Sequence, residues 1–140
     1  MSTMKITIDA TVAASPKKVW ENWTKPEHIT KWNFASDDWH CPKAANDLRV
    51  GGKLNSRMEA KDGSFGFDFE GTYDEVIEQK KIVYHIADGR QVITTFEPQG
   101  EKTKVTTTFE AENTHPIEMQ RGGWLAILNN FKTYTEGTKK

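Results

Sequence analysis

Apolar and polar residues alternate from Lys5 to Val12. Ile6, Ile8, Ala10 and Val12 fall on one side, and Lys5, Thr7, Asp9 and Thr11 on the other. A period of two predicts a half-buried strand. Ser15-Pro16 then supplies a helix start, with serine as N-cap and proline at the first helical position. Val19, Trp20 and Trp23 follow at helical spacing until Thr24-Lys25-Pro26 breaks the helix. A second short helix carries Ile29 and Trp32. Residues 33–47 show no clear period and read as a long loop. Because this loop holds Phe34 and Trp39, a functional loop is expected in preference to a disordered one.

From Leu48 to Glu112 the pattern is strand after strand. Asp62-Gly63 and Asp88-Gly89 read as two-residue hairpin turns of the kind that needs positive φ. The first turn sets Met58 opposite Phe67, Ser56 opposite Phe69, Ala60 opposite Phe65 and Arg57 opposite Asp68. The second sets His85 opposite Val92 and Tyr84 opposite Ile93. Gly100 marks a third hairpin, after which Val105, Thr107 and Phe109 share a face. Gln79-Lys80 is a weaker turn signal. Beyond Asn113 the period becomes helical: Pro116 opens the helix, and Ile117, Trp124, Leu125, Leu128 and Phe131 form one stripe. Gly122-Gly123 interrupts the stripe early, and Gly137 suits a left-handed cap. The order predicts an α+β fold, with a curved antiparallel β-sheet wrapped around a long C-terminal α-helix and two short helices after the first strand. Residues 1–140 are expected to form one domain.

Composition changes this picture in one respect. Isoleucine, leucine, valine and phenylalanine number only 27 of 140 residues, but the net charge is −1, so the disorder reading fails. Five tryptophans, seven phenylalanines and three tyrosines can build the core that the aliphatics alone could not. No apolar run approaches a membrane span, and no secretory leader pattern opens the chain. Balanced charge argues against a nucleic-acid or anionic-membrane footprint. The single cysteine, Cys41, fits a reducing cytoplasm.

Several stretches together resemble one family over essentially the whole chain. They are Ser15-Pro16 with Val19-Trp20 and Trp23; Ile29-Thr30-Lys31-Trp32; Ser36-Asp37-Asp38-Trp39-His40; Asp47-Leu48-Arg49-Val50-Gly51-Gly52; Met58 to Ser64; Phe69-Glu70-Gly71; and Arg121-Gly122-Gly123-Trp124. The sequence is similar to the START-like superfamily, also called SRPBCC, helix-grip or birch-pollen-allergen-like. Within it the chain resembles the bacterial branch related to the C-terminal domain of the activator of the heat-shock chaperone ATPase, whose members are often labelled polyketide-cyclase-like. The resemblance implies a cavity between sheet and last helix. It does not fix a function.

Candidate cavity residues are Trp32, Trp39, Phe65, Phe67, Phe69, Trp124 and Leu128, with His85 as a polar handle if the second hairpin register holds. Each aromatic also has a plain role as core filling, and Trp20 and Trp23 are assigned to packing. His85, His40 and Asp38 are the catalytic candidates. Asp37 and Asp38 beside His40 suit acid–base work, or simple capping of the loop. His40 and Cys41 are adjacent, which suits no usual chelating spacing, so no metal and no cofactor is expected. Arg57, Glu59, Asp68 and Glu70 fall on the outer face. Gly122-Gly123 is read either as a hinge or as a close approach of helix to strand.

Three functions follow. The first is a cytoplasmic protein binding a small hydrophobic or aromatic molecule, present as a monomer or weak homodimer, with no nucleic-acid or membrane partner. The second is a cyclase-, aromatase- or hydrolase-like enzyme using His85 or His40. The third, ranked last, is a co-chaperone, since the chaperone activators carry a separate N-terminal domain and this chain opens with its first strand.

Overall fold

The computed structural model describes residues 4–34, 36–86, 89–112 and 116–137. Strand β1 (Lys5–Val12) leads to two short helices, α1 (Pro16–Thr24) and α2 (Pro26–Ile29). Six strands follow: β2 (Trp39–Asn46), β3 (Lys53–Ala60), β4 (Gly66–Ile77), β5 (Lys81–Ile86), β6 (Gln91–Gln99) and β7 (Lys102–Glu110). Helix α3 (Ile117–Gly137) comes last. The strands form one antiparallel sheet in the order β1-β7-β6-β5-β4-β3-β2. The sheet curls into a half-barrel around α3, the helix-grip arrangement.

Local chemistry explains the first elements. In β1 every second residue is buried, as the alternation predicts. The Ser15 hydroxyl accepts the Lys18 N–H at 3.2 Å, capping α1. Lys25 is extended because the residue before a proline is driven from the helical region, and this separates α1 from α2. Trp32 lies just past α2 and donates its indole N–H to the Asn22 carbonyl at 2.9 Å. The Asn22 amide in turn donates to the Thr135 hydroxyl at 3.2 Å, which ties α1 to the far end of α3.

Residues 39–46 are a strand, which corrects the long-loop expectation. β2 pairs with β3, but a bulge between His40 and Lys43 inserts one extra residue. The inner-face positions are therefore Trp39 and Cys41, then Ala44 and Asn46. That three-residue step hides the period of two. Pro42, which has no N–H, sits at the bulge on this edge strand.

The first hairpin keeps its predicted register, with Ser56 opposite Phe69, Arg57 opposite Asp68 and Met58 opposite Phe67. Its turn is wider than two residues: the Ala60 N–H donates to the Phe65 carbonyl, and Gly63 has φ +79°. Widening by one residue on each side leaves the pairing unchanged.

The second hairpin does not keep its register. The Ile86 N–H donates to the Arg90 carbonyl, one residue out of the predicted register. Tyr84 thus faces Val92 and His85 faces Gln91. A one-residue slip exchanges the two faces of a strand, so Tyr84 points inward and His85 outward. Asp88, part of the predicted turn, lies outside the described residues. So do Asn113, from which the helical period was read, and His115. Gly137 is the last residue of α3 and has no positive φ, so it is not a left-handed cap.

Candidate functional site

Alternation on neighbouring strands aims one set of side chains into the grip. Phe67, Phe69, Gly71 and Tyr73 of β4 lie beside Leu54, Ser56 and Met58 of β3. Ile82 and Tyr84 of β5 and Val92 and Thr94 of β6 complete the floor. Against them stand Gly123, Trp124, Ile127 and Leu128 of α3, with Trp23, Ile29 and Trp32 closing one end. These groups do not fill the space. A cavity of about 460 Å³ remains, within the range of small-molecule sites.

Its walls are aromatic and held by their neighbours. Trp32 stacks on Trp23 with ring centroids 5.0 Å apart and meets Phe131 edge-on. Trp124 lies flat on Phe109, and Phe69 meets it edge-on at 6.2 Å. Leu128 is buried beside them. Of the residues singled out from sequence, Trp32, Phe67, Phe69, Trp124 and Leu128 line this cavity. Trp39 and Phe65 do not: they pack on each other and on Phe67 where the inner face runs out past the cavity, and Phe65 is 63% exposed.

The catalytic candidates lie elsewhere. Asp74 takes a bond from His85 Nδ1 at 2.9 Å, and both are on the outer face. His40 lies 3.7 Å from Glu59, beside the Arg57–Glu59 and Arg57–Asp68 ion pairs of that same face. Asp38 accepts the Ser36 hydroxyl at 2.5 Å, and its carbonyl accepts the Lys61 N–H, so it shapes a turn. No group of His, Cys, Asp and Glu placed to hold a metal ion occurs among the described residues.

The polar groups that do face the cavity were not legible as a site. Thr94 and Thr107 share a hydroxyl hydrogen bond of 3.0 Å across β6 and β7, fully buried. The Tyr73 hydroxyl donates to the Asn46 side-chain oxygen, and the Asn46 amide donates to the Thr24 carbonyl. Burial pushes Tyr73 and Tyr84 well above the ordinary tyrosine range, because the phenolate form would lose its hydration. Burial likewise raises the Cys41 thiol, partly offset by its bonds to the Lys43 carbonyl and to Ser56. The available signal was a polar residue in an inward register: Thr94 between Val92 and Phe96, and Tyr84 between Ile82 and Ile86.

Two clamps hold the start of α3. Buried Gln120 accepts the Glu112 N–H at 2.9 Å and donates to the Glu112 carbonyl at 3.1 Å. Arg121 donates to the Thr7 carbonyl at 3.0 Å. Together they tie the first turns of α3 to β1 and to the segment that follows β7. The close-approach reading of Gly122-Gly123 is corrected, since a Cβ at either position would meet nothing within 4 Å. Gly123 lines the cavity and Gly122 faces solvent.

The family model described as "Activator of Hsp90 ATPase homolog 1-like protein" matches residues 13–136. The fold is that of the AHSA1-like protein of Aeromonas hydrophila, at 42% identity and TM-score 0.90, over 96% of this chain and 93% of that one. A protein of Cytophaga hutchinsonii is 50% identical, with TM-score 0.82 over 95% of this chain and 92% of that one. The Aha1 dimer of Colwellia psychrerythraea shares the fold at 18% identity and TM-score 0.74, over 98% of this chain and 99% of that one. No curated protein matches the sequence.

Proposed function

The chain belongs to the family of activator of Hsp90 ATPase homolog 1-like proteins, within the START/SRPBCC superfamily, and from that premise we propose that it binds a small hydrophobic or aromatic molecule between the sheet and α3. The observation that carries this reading is the aromatic-walled cavity of about 460 Å³. A protein interior normally packs to the density of an organic crystal. An unfilled apolar space of this size forfeits packing energy unless a ligand occupies it. The family commonly binds hydrophobic ligands, which supports the same reading.

The proposal assigns binding and no catalysis, because His40 and His85 lie on the outer face. It places the protein in the cytoplasm, in keeping with the buried free thiol of Cys41. Among the described residues no helix is long and apolar enough to cross a membrane. It holds residues 1–140 to be one domain, acting as a monomer or weak homodimer.

The test is native mass spectrometry and thermal shift against a panel of neutral aromatic and lipid-like compounds. At least one is expected to bind one-to-one and to raise the melting temperature through preferential binding to the folded state. A panel without a single binder at high micromolar concentration would overturn the reading.

A further inference from the structure

The two tyrosines of the cavity are not alike. The Tyr73 hydroxyl is tied to Asn46. Among the described residues nothing hydrogen-bonds the hydroxyl of Tyr84. Tyr84 lines the cavity, with its ring edge-on to Phe69 at 6.3 Å and to Tyr73 at 6.2 Å. The Tyr84 side chain is half-buried, and an acceptor in the same space would complete the hydrogen bonding of its hydroxyl.

The position of this ring is built into the backbone. Gly71 lies on the inner face of β4, next to β5. A Cβ there would sit 2.7 Å from Tyr84 Cδ2 and 3.3 Å from Cε2. No real Cβ approaches a ring carbon so closely, so Tyr84 occupies the space that any side chain at position 71 would need. Glycine inside a strand is otherwise unfavourable, and here it lets the ring lie across the sheet.

The rest of the lining narrows the chemistry of a partner. Among the described lining residues Arg90 and Glu112 are the charged ones, one of each sign. A ligand with net charge would be stripped of water among aromatic rings at high cost. Burial keeps Tyr84 protonated, so it offers an O–H donor across the physiological range.

Resting on the ligand-binding reading above, we infer that Tyr84 is the recognition residue of the cavity, donating to the carbonyl-type acceptor of a neutral, flat aromatic ligand, with Gly71 as its positioning residue. Aromatic walls select the ring system, and Tyr84 selects the oxygen.

Two probes of the same shape test this: 1-acetylnaphthalene and 1-isopropenylnaphthalene, in which a methylene replaces the carbonyl oxygen. Dissociation constants for both are measured on the wild type and on Tyr84→Phe. Differences in probe hydration cancel between the two proteins. The preference for the ketone is expected to fall about five- to tenfold in Tyr84→Phe. An unchanged preference overturns the role of Tyr84 and leaves the cavity reading standing; failure of both probes to bind the wild type overturns the inferred flat aromatic ligand, while the cavity reading falls only if the wider panel also yields no binder. A second measurement needs no variant. The carbonyl stretch of isotope-labelled 1-acetylnaphthalene bound to the wild type is expected below its frequency in hexane, and a hexane-like frequency overturns the inference. In Gly71→Ala the ketone preference is expected to drop while isopropenylnaphthalene still binds; an undiminished preference removes Gly71 from the account.

Discussion

Trp124 lies flat on Phe109, with ring centroids 4.1 Å apart and planes within 12°. Phe109 is buried on β7 and Trp124 comes from α3, so one stack joins helix to sheet and also forms a cavity wall. Removing the indole deletes both a large packing contact and the stack itself. Trp124→Ala is expected to lose about 2–4 kcal/mol of stability, measured by urea denaturation. Trp124→Phe is expected to recover more than half of that loss. Equal losses in the two variants would show that the flat contact contributes little.

Gly122 and Gly123 separate two effects that neighbouring residues seldom separate. Each glycine costs a helix about 1 kcal/mol relative to alanine, and neither is needed for close packing. Gly122→Ala is therefore expected to stabilise the protein by about 0.5–1 kcal/mol and to leave ligand affinity unchanged. Gly123→Ala is expected to stabilise by a similar amount but to weaken the bulkiest ligands, because its methyl group enters the cavity. Thermal melts paired with titrations of one compound series check both. Equal affinity changes in the two variants would place the cavity wall elsewhere on α3.

Alkaline pH bears directly on the buried phenols. Tyr73 and Tyr84 have raised pKa values in the folded chain, caused first by burial. The folded state thus holds protons that the unfolded chain releases above pH about 10. Stability from this source is fully present below that pH and is lost as pH rises above it. Cys41, also raised by burial, adds to the loss from its own ordinary range upward. Denaturation midpoints are expected to fall steadily above pH about 9, and the fall is expected to be shallower in Tyr84→Phe. A midpoint flat to pH 11 would contradict the burial of these groups.

What could be read from the chain, and what could not, divides along physical lines. β1 was legible because Ile6, Ile8, Ala10 and Val12 obey a strict period of two with one face buried. The Met58–Phe67 register was legible because a symmetric change in turn length leaves pairing intact. The Tyr84–Val92 register was not, since one extra residue in a turn moves every partner by one, and no local signal at Asp88-Gly89 counts turn residues. That single residue decides which of Tyr84 and His85 meets the cavity. β2 was hidden for a related reason: its bulge shifts the phase of the alternation midway, and an edge strand has fewer apolar positions to display. The aromatic wall of Trp32, Phe67, Phe69 and Trp124 could be anticipated from composition and spacing. The polar readers of the cavity depend on which strands become neighbours, as with Thr94 and Thr107 across β6 and β7, and pairings of that kind emerge only in the folded sheet.

Pro42 carries the last expectation. β2 is an edge of the sheet, and an edge presents unpaired N–H and C=O groups to any passing strand. Pro42 offers no N–H, and the bulge beside it bends the strand from the straight course that a partner strand requires. Just beyond lie Trp39 and the exposed ring of Phe65, which would add apolar contact to any pairing that began there. Pro42→Val restores a donor and a strong strand former at that point. Its effect on the stability of a single chain is expected to stay within about 1 kcal/mol, because the site is exposed. Its effect on association is expected to be larger. Light scattering after size exclusion is expected to show a higher average mass in Pro42→Val than in the wild type at the same concentration, with the gap widening as concentration rises. Identical masses across that range would mean that the proline does not guard the edge, and that the bulge alone suffices.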